Sequence, residues 1–212
     1  MKAMQYKLVI FDFDGTLADS FPFFLETVSE LAEKHGFGKV DAVQVEMLRR
    51  YDAKRIVRQL GIPLWKVPIV AAAFRKIMAK NTDRVPAFAG VSAMLHALSQ
   101  RGILMSLVTS NSCENVQKIL GKENLSLLVH PQCGTGLFGK SSRLRKILRK
   151  TGISAADAIY IGDEIRDLEA AAAENIAFGA VSWGYTKADA LMEHSPAETF
   201  FSVGEIAEKL TQ

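Results

Sequence analysis

The stretch KLVIFDFDGTLADS, residues 7–20, decides the reading of this chain. Leu8, Val9, Ile10 and Phe11 form a short apolar, β-rich run, and two carboxylates two residues apart, Asp12 and Asp14, follow it at once. Near-continuous apolar character without alternation suits a parallel strand covered on both faces. In an open α/β sheet, ligands bind outside the carboxyl ends of the strands. Acidic residues at that point therefore raise a question of chemistry as well as of turn formation, although an Asp before Gly also stabilises turns.

Working outward, the same pattern recurs. ILMSLVT (103–109), LSLLV (125–129), AIYIG (158–162) and FGAVSW (178–183) read as further strands. Amphipathic stretches at 91–101, 113–121, 140–150, 164–175 and 187–194 read as helices between them, with Gly102 and Gly152 where C-caps belong. The alternation predicts a doubly wound, Rossmann-like α/β fold with a parallel sheet. One region breaks the rhythm. From Ala18 to Pro86 the patterns are helical: a helix after Ser20 as N-cap with Pro22 in its first turn, then helices at 41–51, 53–60 and 65–80. That is too long for a plain crossover. It predicts a small all-helical cap over 18–86, inserted into an α/β core made of 1–17 and 87–212. The linkers fall near 17–20 and 83–89. Phe23, Phe24, Trp65 and Phe74 are expected in the core of the cap.

The whole chain has 212 residues, 49% of them apolar, with a net charge of +3. It is long enough for one sizeable core plus a small module. A charge so near neutral does not point to nucleic acid, and the basic run RLRKILRK (143–150) has the spacing of a solvated helix face. No run approaches the roughly 18 apolar residues of a membrane span, and Asp12 and Asp14 interrupt the apolar N-terminal stretch, so neither a membrane nor a secretory signal is expected. Cys113 and Cys133 lie in no metal-type spacing and are expected as free thiols of a cytoplasmic protein.

Polar groups gather just past the strands: Asp12 to Thr16 after the first, Thr109-Ser110-Asn111 after the second, and Gly162-Asp163-Glu164-Ile165-Arg166-Asp167 after AIYIG. Asp12, Asp14 and Asp163 would set three negative charges in one small space. Like charges held that close force a proton onto one of them unless a cation is present. An all-oxygen donor set suits Mg2+, and with no His near these loops zinc is disfavoured. Asp163 also precedes a helix, as an N-cap would. Asp167 stands one turn further on and is expected to support the metal from behind.

These residues resemble the haloacid dehalogenase superfamily, and more closely its phosphatases with a helical cap after the first strand. DFDGTLADS (12–20), LVTSN (107–111), GK (139–140) and IGDEIRD (161–167) match its motifs in order, and the stretch from Gly162 to Tyr185 resembles phosphoglycolate phosphatase-like members. The resemblance implies Asp12 as the nucleophile that forms an aspartyl-phosphate and Asp14 as the general acid and base, its carbonyl also on the metal. It implies Thr109 on a phosphoryl oxygen, with Gly15, Thr16, Ser110 and Asn111 around the substrate. It further implies that Lys140 would neutralise the phosphoryl group, reaching in from the loop GTGLFG (134–139), and that Mg2+ would be held by Asp12, Asp14 and Asp163, supported by Asp167 and Glu164.

Dehalogenating members resemble this fold but lack the acid two residues after the nucleophile, so Asp14 argues for phosphate chemistry. The expected substrate is a small phosphorylated metabolite, phosphoglycolate-like or a sugar phosphate. The alternatives are a sugar-phosphate mutase and a non-catalytic metal- and phosphate-binding module. Arg50, Lys54 and Arg58 recur every four residues and form either a solvated face or a basic stripe toward the cleft. Trp183-Gly184-Tyr185 lines the cleft rim or closes a turn. A monomer or a homodimer is expected.

Overall fold

The computed structural model describes residues 6–136 and 139–211. Leu137 and Phe138 of the loop expected to deliver Lys140 lie outside them, as does the start of the N-terminal stretch. Strands β1 (Leu8–Phe11), β2 (Leu104–Leu107), β3 (Ala158–Gly162), β4 (Ala177–Val181) and β5 (Glu198–Phe200) form one parallel sheet in the order β2-β1-β3-β4-β5. β1 lies between β2 and the strand AIYIG. Alternate residues of each strand face opposite sides of a sheet, and the two cores follow this. Val9, Phe11, Met105, Leu107, Ile159 and Ile161 pack on one side, while Leu8, Ile10, Ala158 and Tyr160 pack on the other.

Between β1 and β2 lie α1 (Phe21–His35), α2 (Ala42–Leu48), α3 (Ala53–Gln59) and α4 (Val67–Ala79), the inserted helical region, and then α5 (Val91–Gln100). The short cap helices start where a side chain can meet their first N–H groups. The Asp41 carboxylate accepts from Gln44 N at 2.8 Å, Gln44 returns the bond to Asp41 N, and Asp52 accepts from Arg55 N at 3.0 Å. Ser20 does stand at the N-cap of α1, but its hydroxyl makes no cap bond and shares a 3.1 Å hydrogen bond with the Tyr185 hydroxyl instead. The two linkers run side by side, with Ala18 bridged to Ala87 and Asp19 N donating to Pro86 O at 2.9 Å. The remaining helices are α6 (Cys113–Ser126), α7 (Lys140–Thr151), α8 (Ile165–Ala172), α9 (Ala188–Met192) and α10 (Val203–Leu210).

Four expectations change. LSLLV is not a strand: Leu125 and Ser126 end α6, and the segment meets the sheet only at its end, where Leu128 bridges to Met105 and Val129 N donates to Met105 O at 2.7 Å. The fifth strand is Glu198–Phe200, a three-residue edge followed by α10, neither of which the apolar pattern had suggested. Trp65 is 67% exposed on the outside of the cap, while Phe23, Phe24 and Phe74 do pack together, Phe74 lying 5.5 Å from Phe24. Cys113 and Cys133 are not free thiols but a disulfide, with Cα atoms 5.3 Å apart. The bridge Val108–Gln132 lays the Cys133 segment beside the start of α6, a tertiary contact that spacing in the sequence does not report. Among the described residues no single helix is long and apolar enough to cross a membrane.

Candidate active site

The register explains the convergence. Phe11 pairs with Leu107 on one side and Ile161 on the other, so the residues just past all three strands emerge side by side. Asp12, Asp163 and Asp167 each place a carboxylate oxygen within 4.8 Å of the others, and all three are buried. At that separation two like charges repel by about 3.5 kcal/mol even at an effective dielectric of about 20. Lys140, at the start of α7, is the cation within the protein that answers them. Its Nζ lies 2.8 Å from Asp12 Oδ2 and 2.5 Å from Asp167 Oδ1, and the side chain is 2% exposed. Burial alone would lower its proton affinity. The Asp12 and Asp167 charges outweigh that and hold Lys140 above the usual lysine range.

Burial dominates the carboxylates in the opposite sense. It pushes Asp12 up to about 7 against the pull of Lys140, and it raises Asp163 well above the carboxylate range, with Glu164, Asp12 and Asp167 adding to the rise. Were all three carboxylates ionised, the one ammonium would leave two negative charges, which a divalent cation would balance. The packing also fixes Asp163 in place. Thr16 Oγ1 and Tyr185 N each donate to it at 2.8 Å. Gly15, at φ +78°, and Gly184 leave the space it fills: a Cβ on either would come within 2.3 Å and 2.1 Å of Asp163 atoms. A hard-oxygen donor set, buried and anionic, fits Mg2+, and Asp12 and Asp163 would hold it with Asp167 behind. Gly184→Ala should destabilise the fold by about 1–3 kcal/mol and weaken Mg2+ binding. Melting curves along a Mg2+ titration check this, and an unchanged midpoint and affinity would contradict it.

Asp14 points elsewhere. Both its oxygens accept from Asn111 Nδ2 at 3.1 Å, and its carboxylate is not part of the three-acid group. Burial raises its proton affinity, against the hydrogen bonds from Ser20 and Asn111. The Thr109–Ser110–Asn111 turn closes on itself, with Asn111 N donating to Thr109 Oγ1 at 2.9 Å. Of the residues expected at the site, Asp12, Asp14, Thr109, Ser110, Asn111, Lys140, Asp163 and Asp167 meet at one edge. Thr16 serves Asp163 through its hydroxyl, and Gly15 opens room for it. Glu164 stands at the N-cap position of α8, where Asp163 had been expected, and it pairs with Arg166, whose Nε donates to Glu164 Oε2 at 2.7 Å.

The cap sits on this edge. Arg49, which lies in none of the motifs read from the sequence, donates to Gly184 O and Tyr185 O at 2.9 Å each and stacks over Phe21. Arg75 donates to Ser110 O at 3.3 Å. The basic stripe divides: Arg50 pairs with Asp189 and Glu193 on the core, while Lys54 lines a small cleft with Lys140, Ser141 and Arg166. Trp183 donates to Thr16 O at 3.2 Å and packs against the core, while Tyr185 lines the cavity under the inserted helices. The register of the segment 183–185 against the site could not be read from sequence.

Residues 9–181 match the family described as haloacid dehalogenase-like hydrolase. The chain belongs to that family, as one of its phosphatases. It is 30% identical to a phosphoglycolate phosphatase of Synechococcus elongatus, over 96% of this chain and 97% of that one. It is 26% identical to an N-acetylmuramic acid 6-phosphate phosphatase of Pseudomonas aeruginosa, covering 87% and 85%. A Lactobacillus plantarum structure proposed to be a phosphoglycolate phosphatase shares the fold with a TM-score of 0.82 at 22% identity, covering 97% and 99%.

Proposed function

We propose that this chain is a Mg2+-dependent phosphomonoester hydrolase that acts on a small phosphorylated metabolite through an aspartyl-phosphate on Asp12. The observation that carries the reading is the Asp12 carboxylate at the end of β1, gripped by Lys140, with Asp163 and Asp167 beside it and Asp14 two residues on. Asp12 attacks phosphorus and the P–O bond to the alcohol breaks. Asp14, whose burial favours the protonated form, gives its proton to the leaving alkoxide and then takes one from the water that hydrolyses the intermediate. The Thr109 hydroxyl orients a phosphoryl oxygen, and Lys140 offsets the charge. Bound Mg2+ supplies further positive charge to an anionic nucleophile meeting an anionic substrate.

The substrates named for the relatives, phosphoglycolate and a sugar phosphate, support the substrate class. We take 18–86 as the cap and 1–17 with 87–212 as the core, with the paired linkers at Ala18 and Ala87 as the hinge. We place the enzyme in the cytoplasm, as a monomer or a homodimer. In that reducing compartment the Cys113–Cys133 disulfide of the structure is expected to be reduced, so alkylation in intact cells should label both cysteines.

Screening phosphorylated metabolites for phosphate release tests the reading. Turnover should vanish in EDTA and return with Mg2+. At about 100 times its Kd, Mg2+ should add about 2.7 kcal/mol of stability. Hydrolysis undiminished by a chelator would overturn the metal's role, and release from no phosphomonoester would overturn the hydrolase.

A further inference from the structure

A cavity of about 280 Å3 lies between the cap and the strand edge. Its floor borders the site at Asp14, Ser110 and Asn111. Its walls are the inner face of the cap: Phe24 and Val28 from α1, and Val70, Ala71 and Phe74 from α4. Of these wall residues only Val28 is fully buried. The others, in the middle of a helical bundle, keep part of their apolar surface facing open space. A bundle that closed on its own core would cover them. Of the arginines along the cavity, Arg49 is held by two backbone carbonyls and Arg166 by Glu164, while Arg75 makes one 3.3 Å bond to Ser110 O. Beyond these groups at its rim, a group leaving from Asp14 into this space meets mostly carbon.

We infer that the leaving alcohol of the substrate is apolar, a chain or ring of several carbons lying along Phe24, Val28 and Phe74, with Ala71 setting the depth. The inference rests on the hydrolase reading and departs from the polar leaving groups of the substrates named for the relatives. The phosphoryl group stays with Asp12, the ester oxygen takes the proton from Asp14, and the apolar alcohol departs through the cap. A two-carbon acid leaves most of the cavity unfilled and sets its carboxylate among phenyl rings, where desolvation opposes it. The volume approaches the roughly 300 Å3 at which pockets for much larger ligands begin.

Two homologous series test this on the intact Mg2+-loaded protein. For n-alkyl phosphates from ethyl to hexyl, whose leaving alcohols react alike, kcat/KM should rise about 3- to 4-fold per methylene until the cavity fills. For the matching n-alkyl phosphonates, which bind without turnover, Kd should fall in parallel. In Ala71→Phe the hexyl-to-ethyl ratio of kcat/KM should collapse toward about 1. If the cavity is only loose packing, Ala71→Phe raises the melting temperature and leaves that ratio intact, which overturns the inference. Should the variant not fold, the parent series decides: turnover with kcat/KM and Kd independent of chain length overturns the inference alone. Phosphonates that bind more tightly with length, with no phosphate hydrolysed, overturn the hydrolase and uphold the apolar pocket.

Discussion

Asp12→Asn leaves the chain folded and removes its turnover, with kcat down by at least about 10^4-fold, the scale seen when a catalytic nucleophile is lost. The substitution keeps the shape at the end of β1, and an amide oxygen can still accept from Lys140. It loses the nucleophilic carboxylate, so no bond to phosphorus forms. The effect on stability should be small or favourable. Burial holds the Asp12 carboxyl at about 7, so the ionised form is costly in the protein, and a neutral residue relieves one member of a repelling trio. Single-turnover phosphate release beside a thermal melt checks both halves. Retained turnover with a normal melt would remove Asp12 from the chemistry.

Lys140→Met is the second large effect, and it falls on folding as well as on rate. Methionine matches the stem and removes the ammonium that lies between Asp12 and Asp167. Breaking a buried pair by deleting one partner leaves uncompensated charge and costs about 3–5 kcal/mol, a large part of the stability of a typical domain. Loss of a positioned cation at the phosphoryl group should lower kcat/KM by about 10^2–10^3-fold. Added Mg2+ should recover part of the stability, because it answers the same charges, and little of the rate. Urea unfolding with and without Mg2+ separates the two, and equal stability of parent and variant in EDTA would show that Lys140 is not the counter-ion.

Much of this was legible in the sequence because β1, β2, β3 and β4 are apolar runs that end in polar residues, and topology then brings those ends together. Asp12, Thr109 and Asp163 needed only the order of the strands. What escaped depended on contacts between distant parts of the chain. Gly184 and the Tyr185 amide grip Asp163 from a loop 22 residues further on, and nothing in the spacing reports the fit of a glycine against a carboxylate. LSLLV carries β-like residues, yet its first two positions finish α6, because tertiary packing overrides a weak local preference. The edge strand β5 has one fully buried residue, Phe200, too short a signal for periodicity. Arg50 and Lys54 share a spacing but part company in space, one paired with Asp189 of α9 and the other lining a small cleft that Lys140 also lines.

The most direct measurement is acid quenching during turnover, borohydride reduction of any acyl phosphate, and peptide mass spectrometry. Aspartyl-phosphate on β1 predicts conversion of residue 12 to homoserine, dependent on Mg2+ and absent from Asp12→Asn. Reduction at a different residue, or none in a steady state where breakdown of the intermediate limits turnover, would contradict it.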